Sequence, residues 1–354
     1  MPSRRAFLAT LAASASGARL GWAAAGAPAY LAAARLADGS FDLVGLRGSG
    51  EAAFRVPLPA RGHAGAGHPI RAEAVVFGRR PGHYALVVDC ALGAVTAELA
   101  PPEGSVFNGH GSFLDGGRLL VTTEQRTADS AGRLGIWDAS DGYARLGEVD
   151  SGGLGPHEAR VMPDGVTIAV ANGGINTEDG REMLNIATME PNLTYLTLAG
   201  GVEEQVELPQ LRQNSIRHLA FAAGGVTAFA MQWVGEGAEA PPLLGLHRRG
   251  AAPVLCAAPG AEQYALQNYT GTVGVSGNGR EVAISSTPGG VLHRYGLDGT
   301  FLGSVARARL MGVAPLGEGF LTTDEQGGIL AIEGDNARPL ARHDEIWDNH
   351  LITL

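Results

Sequence analysis

A short phrase recurs along this chain, and its period leaves few folds open. The phrase is an apolar strand, a glycine-bearing turn and a second apolar strand ending in a polar residue. It runs from His110 to Glu124, from His157 to Asn172 and from His218 to Gln232. Thr272 opens another copy with Ser276-Gly-Asn-Gly279 as its turn, and Met311 opens one that runs to Glu325. Glu73 opens a variant with Arg80-Pro-Gly82 as turn and Tyr84 to Asp89 as second strand. Tripeptides such as Pro163-Asp-Gly165 and Asp115-Gly-Gly117 supply the positive-φ positions of a hairpin. A third strand follows (Gly135–Asp138, Tyr195–Leu198, Val291–Tyr295) and then a fourth (Gly147–Val149, Phe301–Val305). Four antiparallel strands in roughly 40–60 residues make one propeller blade. Six such units are present, and Tyr30–Arg35 with Phe41–Val44 starts a seventh that His350–Leu354 completes. The expected fold is all-β, a seven-bladed β-propeller of four-stranded antiparallel blades, its ring closed by the C-terminal strand; six or eight blades are the alternatives.

Composition agrees. Glycine is 53 of 354 residues, about twice its usual share of ~7%, and charged residues fall to 18%. With 45% hydrophobic residues and no Gly-X-Y period, collagen and disorder are excluded. The net charge is −10, and −13 without Arg4, Arg5 and Arg19. Such an acidic surface repels phosphate backbones and anionic lipid, which excludes nucleic acid as a partner. Cys90 and Cys256 are too few for a disulfide scaffold, lie outside any Cys-x-x-Cys pair, and are expected in different blades and unpaired.

The N-terminus reads Ser3-Arg-Arg-Ala-Phe-Leu8, then an Ala/Leu run, then Ala23-Ala-Ala25. A charged start, a short apolar run and small residues at the end make a signal peptide over residues 1–27, and the paired arginines point to the twin-arginine route. The expectation is one propeller domain over residues 28–354, periplasmic, monomeric and not inserted in a membrane.

In a propeller the first strand of each blade lines the central channel. Glu73, His110, His157, His218, Thr272, Met311 and His350 would open these strands and ring one mouth. Asp89, Glu124, Asn172, Gln232, Thr287 and Glu325 would close the second strands just outside them. Four histidines at equivalent repeat positions, with carboxylates beside them, form a donor set suited to Fe, Zn, Cu or Ni. Two other readings stand beside this one: polar inner-strand residues that hold channel waters, and an acid–base site. Arg160 and Arg217 belong to the same neighbourhood, either gripping an anionic ligand or ion-paired with Glu158 or a neighbouring blade. The stretch after Asn172, to about Asn192, is expected to cap this mouth, and Arg61–His68 to be a solvated, flexible lead into the second blade, its histidines His63 and His68 scavenging metal being the alternative and His68 a fifth candidate at the mouth.

With these phrases in hand, the chain resembles a bacterial domain-of-unknown-function family of twin-arginine-exported propellers. The motifs are Glu73-Ala-Val-Val-Phe77 with Arg80-Pro-Gly82, Asn108-Gly-His-Gly111 with Thr122-Thr-Glu124, and Gly155-Pro-His157 with Met162-Pro-Asp-Gly165. Val170-Ala-Asn-Gly-Gly-Ile175, Ser215-Ile-Arg-His218 and Asp348-Asn-His-Leu351 complete the set. The family's genes sit beside imelysin-type iron-regulated lipoproteins and a di-haem partner, so the resemblance implies a role in iron acquisition. Asn176-Thr-Glu-Asp179 stands where the family is expected to carry a His-Pro-bearing segment, which removes support for a ligand role in that loop. One or two blades are also similar to seven-bladed lactonases.

The leading expectation is a non-enzymatic accessory protein of iron uptake that binds a metal (Fe, Cu or Zn), a metal chelate or haem. Its metal ligands would be His110, His157, His218 and His350 with Glu124 or Glu73; Arg160, Arg217, Asn172 and Gln232 would hold the bound group. The alternatives are a lactonase-like or metal-dependent redox enzyme, and a scaffold docking the imelysin-type or di-haem protein.

Overall fold

The computed structural model describes residues 21–79, 82–178 and 182–354. Within them the repeat phrase becomes seven four-stranded antiparallel blades, with a fifth short strand in the blade that closes the ring. Blade 1 carries Tyr30–Arg35, Phe41–Leu46 and Ala52–Leu58, and two short C-terminal strands, Ile346–Trp347 and Ile352–Thr353, pair antiparallel with Tyr30–Arg35 from the inside. The chain therefore closes its own ring, as the last residues imply. Blades 2 to 7 have inner strands Gly62–Gly67, Ser105–Leu114, Pro156–Val161, Asn214–Ala222, Thr272–Val275 and Leu310–Leu316. Each inner strand is followed outward by three more.

Side chains alternate across a strand, so each blade offers one apolar face to the blade before it and one to the blade after. In blade 6, Val282 and Ile284 pack with blade 5, while Ala283 and Leu292 pack with blade 7. The same division runs round the ring. The hydrophobic clusters among the described residues each join two neighbouring blades, and the cluster that joins blade 7 to blade 1 contains the wholly buried Trp347. Turn chemistry fixes the hairpins. In Pro163-Asp-Gly165, Gly165 takes φ 76° and the Asp164 carboxylate accepts the amides of Val166 and Thr167.

Blade 2 corrects the sequence reading. Glu73–Gly78 is its second strand, not its inner one, so Glu73 does not open a channel strand and Asp89 closes the third strand, not the second. The inner strand is Gly62–Gly67, the Gly/His stretch expected to be a flexible lead. Glycine and alanine carry no strand signal of their own; pairing with Ala74–Gly78 supplies the order.

The connection after Asn172 forms a small two-stranded ladder, Thr177–Glu178 with Glu182–Met183, its tip at residues 179–181 lying outside the described residues. It is tied to the rim of blade 3 through Ser130, whose Oγ accepts the Thr177 amide at 3.0 Å, and is anchored by the fully buried Met189. The twin-arginine segment and the Arg80-Pro81 part of the blade 2 turn lie outside the described residues. Trp22–Ala25 is a short 3-10 turn whose Trp22 indole donates to the His68 carbonyl at 2.9 Å. No helix among the described residues is long and apolar enough to cross a membrane. Both thiols are buried and free in blades 2 and 5, and burial pushes each up to about 12.

Candidate metal centre

The inner strands of blades 2 to 5 share an irregularity. Each loses register with its second strand, between Gly62 and Gly65, Phe107 and Gly111, Pro156 and Glu158, and Ile216 and His218. A bulge of this kind re-aims the side chains it carries. His63, His110 and His157 sit inside three of the breaks, and His218 ends the fourth. His350 arrives from between the two closing strands. The five imidazoles meet: ring centroids are 4.6 Å apart for His63 and His350, 5.0 Å for His110 and His157, 4.7 Å for His157 and His218, and 4.7 Å for His218 and His350. His110 lies within 5.4 Å of each of the other four. All five are buried, at 4–9% exposure.

Two carboxylates stand beside Nδ1 atoms of the cluster. Glu158 accepts the Leu219 amide at 2.8 Å, and its oxygens lie 3.5 Å from His218 Nδ1 and 3.9 Å from His110 Nδ1. Asp348 Oδ1 lies 3.5 Å from His63 Nδ1, while its Oδ2 accepts from Arg61 at 2.6 Å and pairs with Arg79 at 3.5 Å. A carboxylate at Nδ1 selects the tautomer whose Nε2 lone pair is free for a metal. Two trios, His63–His110–His157 and His110–His218–His350, each bring ligand atoms within 4.8 Å of one another, and His110 belongs to both. The His350 Nε2 is buried without a hydrogen-bond partner among the described residues, as a ring nitrogen reserved for an ion would be.

The electrostatics suit ligation. Burial, then the charge of His63, holds His218 and His350 well below the ordinary imidazole range, with Arg217 adding to the effect at His218 and His218 adding to it at His350. The neutral imidazole is the form that binds metal. Burial raises the Glu158 carboxyl against the opposing pull of Arg160 and the Leu219 amide. Burial also works against the charge of Asp348, but His63, Arg61 and Arg79 outweigh it and hold that carboxyl below the usual range.

Of the residues selected from sequence, His110, His157, His218 and His350 come together. Glu73 and Glu124 do not join them. Glu73 accepts from Arg71 and from the Tyr143 hydroxyl at 2.6 Å, bridging blades 2 and 3. Glu124 is fully buried on Arg145, at 2.8 and 2.9 Å, and on the Thr122 hydroxyl. Asn172 stitches Ser151 to Asn192, and Gln232 donates to the Thr270 carbonyl at 2.8 Å. Arg160 donates to the Leu219 carbonyl at 2.8 Å and lies over the Phe221 ring. Arg217 has no hydrogen bond or ion pair among the described residues, and its Nε is buried. His68 packs on Phe113, outside the cluster. His63, Glu158 and Asp348 were not selected as part of the metal site. The signal for His63 was its phase: it precedes His110 by the same 47 positions that separate His110 from His157.

Residues 56–354 match the family described as "Protein of unknown function (DUF1513)". The chain belongs to this family. The match covers every residue of the cluster, His63 to His350, so the centre is part of the family domain. No curated protein matches the sequence. Among solved structures, a chain of Kuenenia stuttgartiensis hydrazine synthase is similar at 14% identity and a TM-score of 0.58, covering 86% of this chain and 89% of that one. The β-propeller domain of Cps50 (Swd1) from Myceliophteria thermophila is similar at 13% identity and a TM-score of 0.54, covering 81% and 87%. At such identities the likeness concerns the fold.

Proposed function

We propose that this DUF1513 propeller binds a first-row transition metal at the five-histidine centre and serves as a periplasmic accessory of iron acquisition. The observation that carries the metal is the convergence of five buried imidazoles from four blades and the C-terminal segment, forming two trios of ligand distance around His110. Neutral imidazoles suit Fe(II), Zn, Cu and Ni, and a bound ion would supply a Lewis acid, with redox chemistry only for iron or copper. The protein's part is to hold the rings: the bulges aim them, Glu158 and Asp348 stand beside them as counter-charges, and burial keeps His218 and His350 neutral. Because His218 and His350 are already neutral, uptake displaces few protons there and varies little above neutral pH.

Iron as cargo, the twin-arginine route, and docking to an imelysin-type or di-haem partner belong to the same proposal. They are supported by the Ser3-Arg-Arg-Ala-Phe-Leu8 leader and by the motifs from Glu73 to Leu351. The test is elemental mass spectrometry on the exported, purified protein, with an absorption spectrum for haem. Near-stoichiometric metal that is lost in His110→Ala is the expected result. A protein that holds none, and takes up none of Fe(II), Cu(II), Zn(II) or haem, overturns the reading.

A further inference from the structure

Beneath the histidines the propeller axis holds a chamber of about 570 Å³ lined by residues of all seven blades. Its walls mix polar and apolar surface, the apolar part coming from residues such as Ala64, Gly111, Leu219, Gly274 and Val313, each on a different inner strand. One end is formed by His110, His218 and His350 with Glu158; His63 and His157 do not line it. The two trios are therefore different in kind. One reaches the chamber through His110 alone, and the other presents all three of its histidines to it. Three protein ligands with a free position facing a cavity is the arrangement in which an ion takes an exogenous ligand.

Glu158 and Arg160 stand two residues apart on one strand, share a face, and both line the chamber. Arg160 makes a single hydrogen bond, to the Leu219 carbonyl, and no ion pair among the described residues, so most of its five N–H donors are uncommitted. With a divalent ion at the trio, Glu158 is the one carboxylate in the lining against the ion and a guanidinium. Uncompensated positive charge against partly apolar walls is costly, and an anion relieves it. The volume lies within the roughly 300–1,000 Å³ of small-molecule sites.

We propose that the chamber binds a small organic anion, an apolar body bearing a carboxylate, whose oxygen completes the coordination of the ion at His110, His218 and His350 and whose charge is met by Arg160. This rests on the metal reading above.

The test uses the full mature chain loaded with Cu(II), with salicylate as the probe and copper content measured on every protein. Saturable change in the copper visible and electron paramagnetic resonance spectra is expected on adding salicylate. Arg160→Ala should weaken salicylate by about tenfold or more, the scale of a charge-assisted hydrogen bond. Thr353→Trp, at the exposed rim of the chamber, should weaken it also. Copper retained with no spectral change, or equal salicylate affinity in the parent and both variants, overturns the chamber proposal and leaves the metal centre standing. Failure to retain copper overturns the chamber proposal, and the metal centre falls with it only when Fe(II), Zn(II) and haem are refused as well.

Discussion

Glu158 reaches across from blade 4 so that its Oε2 lies 3.5 Å from His218 Nδ1 while accepting the backbone amide of Leu219, the next residue of blade 5. One carboxylate thus orients an imidazole of the neighbouring blade and is itself held by that blade. Glu158→Gln keeps an acceptor for the amide but removes the charge behind the ring. Metal affinity should fall on the order of 10–100-fold, measured by competition with a chromophoric chelator. The metal-free variant should behave oppositely. A carboxyl raised above its unfolded value contributes stability below that value and loses it as pH rises through the folded one, so Glu158→Gln should gain stability over the parent at pH 7 and not at pH 4.

His110 is the vertex of both trios. Its replacement by Ala should abolish tight binding, whereas His63→Ala and His350→Ala each leave one trio whole and should retain an ion at reduced affinity. Equal losses in the three variants would argue against two overlapping sites.

The metal-free protein should weaken in mild acid. His218 and His350 have folded values depressed below the unfolded ~6.5, so the stability they contribute is present above that pH and is lost as pH falls toward their folded values. Each group changes stability by about 1.4 kcal/mol per pH unit in that window, about 3 kcal/mol for the pair. Urea midpoints at pH 7.5 and 5.5 should show it, and His350→Ala should flatten the dependence.

Ring closure concentrates on Trp347, which is wholly buried between blades 7 and 1. Trp347→Ala should cost about 3–5 kcal/mol in chemical denaturation and lower metal affinity by loosening His350. Trp347→Phe should be much milder, because the indole N–H has no partner among the described residues.

Glu124 offers a contrast with the centre. Breaking its buried pair by Arg145→Ala should destabilise by about 3–5 kcal/mol, read from thermal or urea unfolding, with metal affinity per folded molecule unchanged.

Blade number, hairpin turns and ring closure were legible because each rests on local chemistry: apolar alternation, positive-φ glycines in Pro-Asp-Gly and Asp-Gly-Gly, and a C-terminal phrase that repeats an inner strand. Four of the five histidines were legible for the same reason, since they mark a fixed point of the repeat. His63 was hidden in Gly62–Gly67, where no residue type favours a strand and only pairing with the next strand creates one. Glu73 looked equivalent to the histidines in sequence and Glu124 stood one position farther out on the same mouth, yet a strand's neighbour decides a carboxylate's partner, and Arg71 with Tyr143 and Arg145 claimed them.

The amino-acid sequence by itself determined the repeating blades and the phase at which imidazoles recur, because period and turn geometry act over a few residues. Which rings meet, which carboxylates stand behind them and which trio faces the chamber were decided only by closing the ring. That closure brings residues as far apart as His63 and His350 to a 4.6 Å ring contact, and no local rule specifies it.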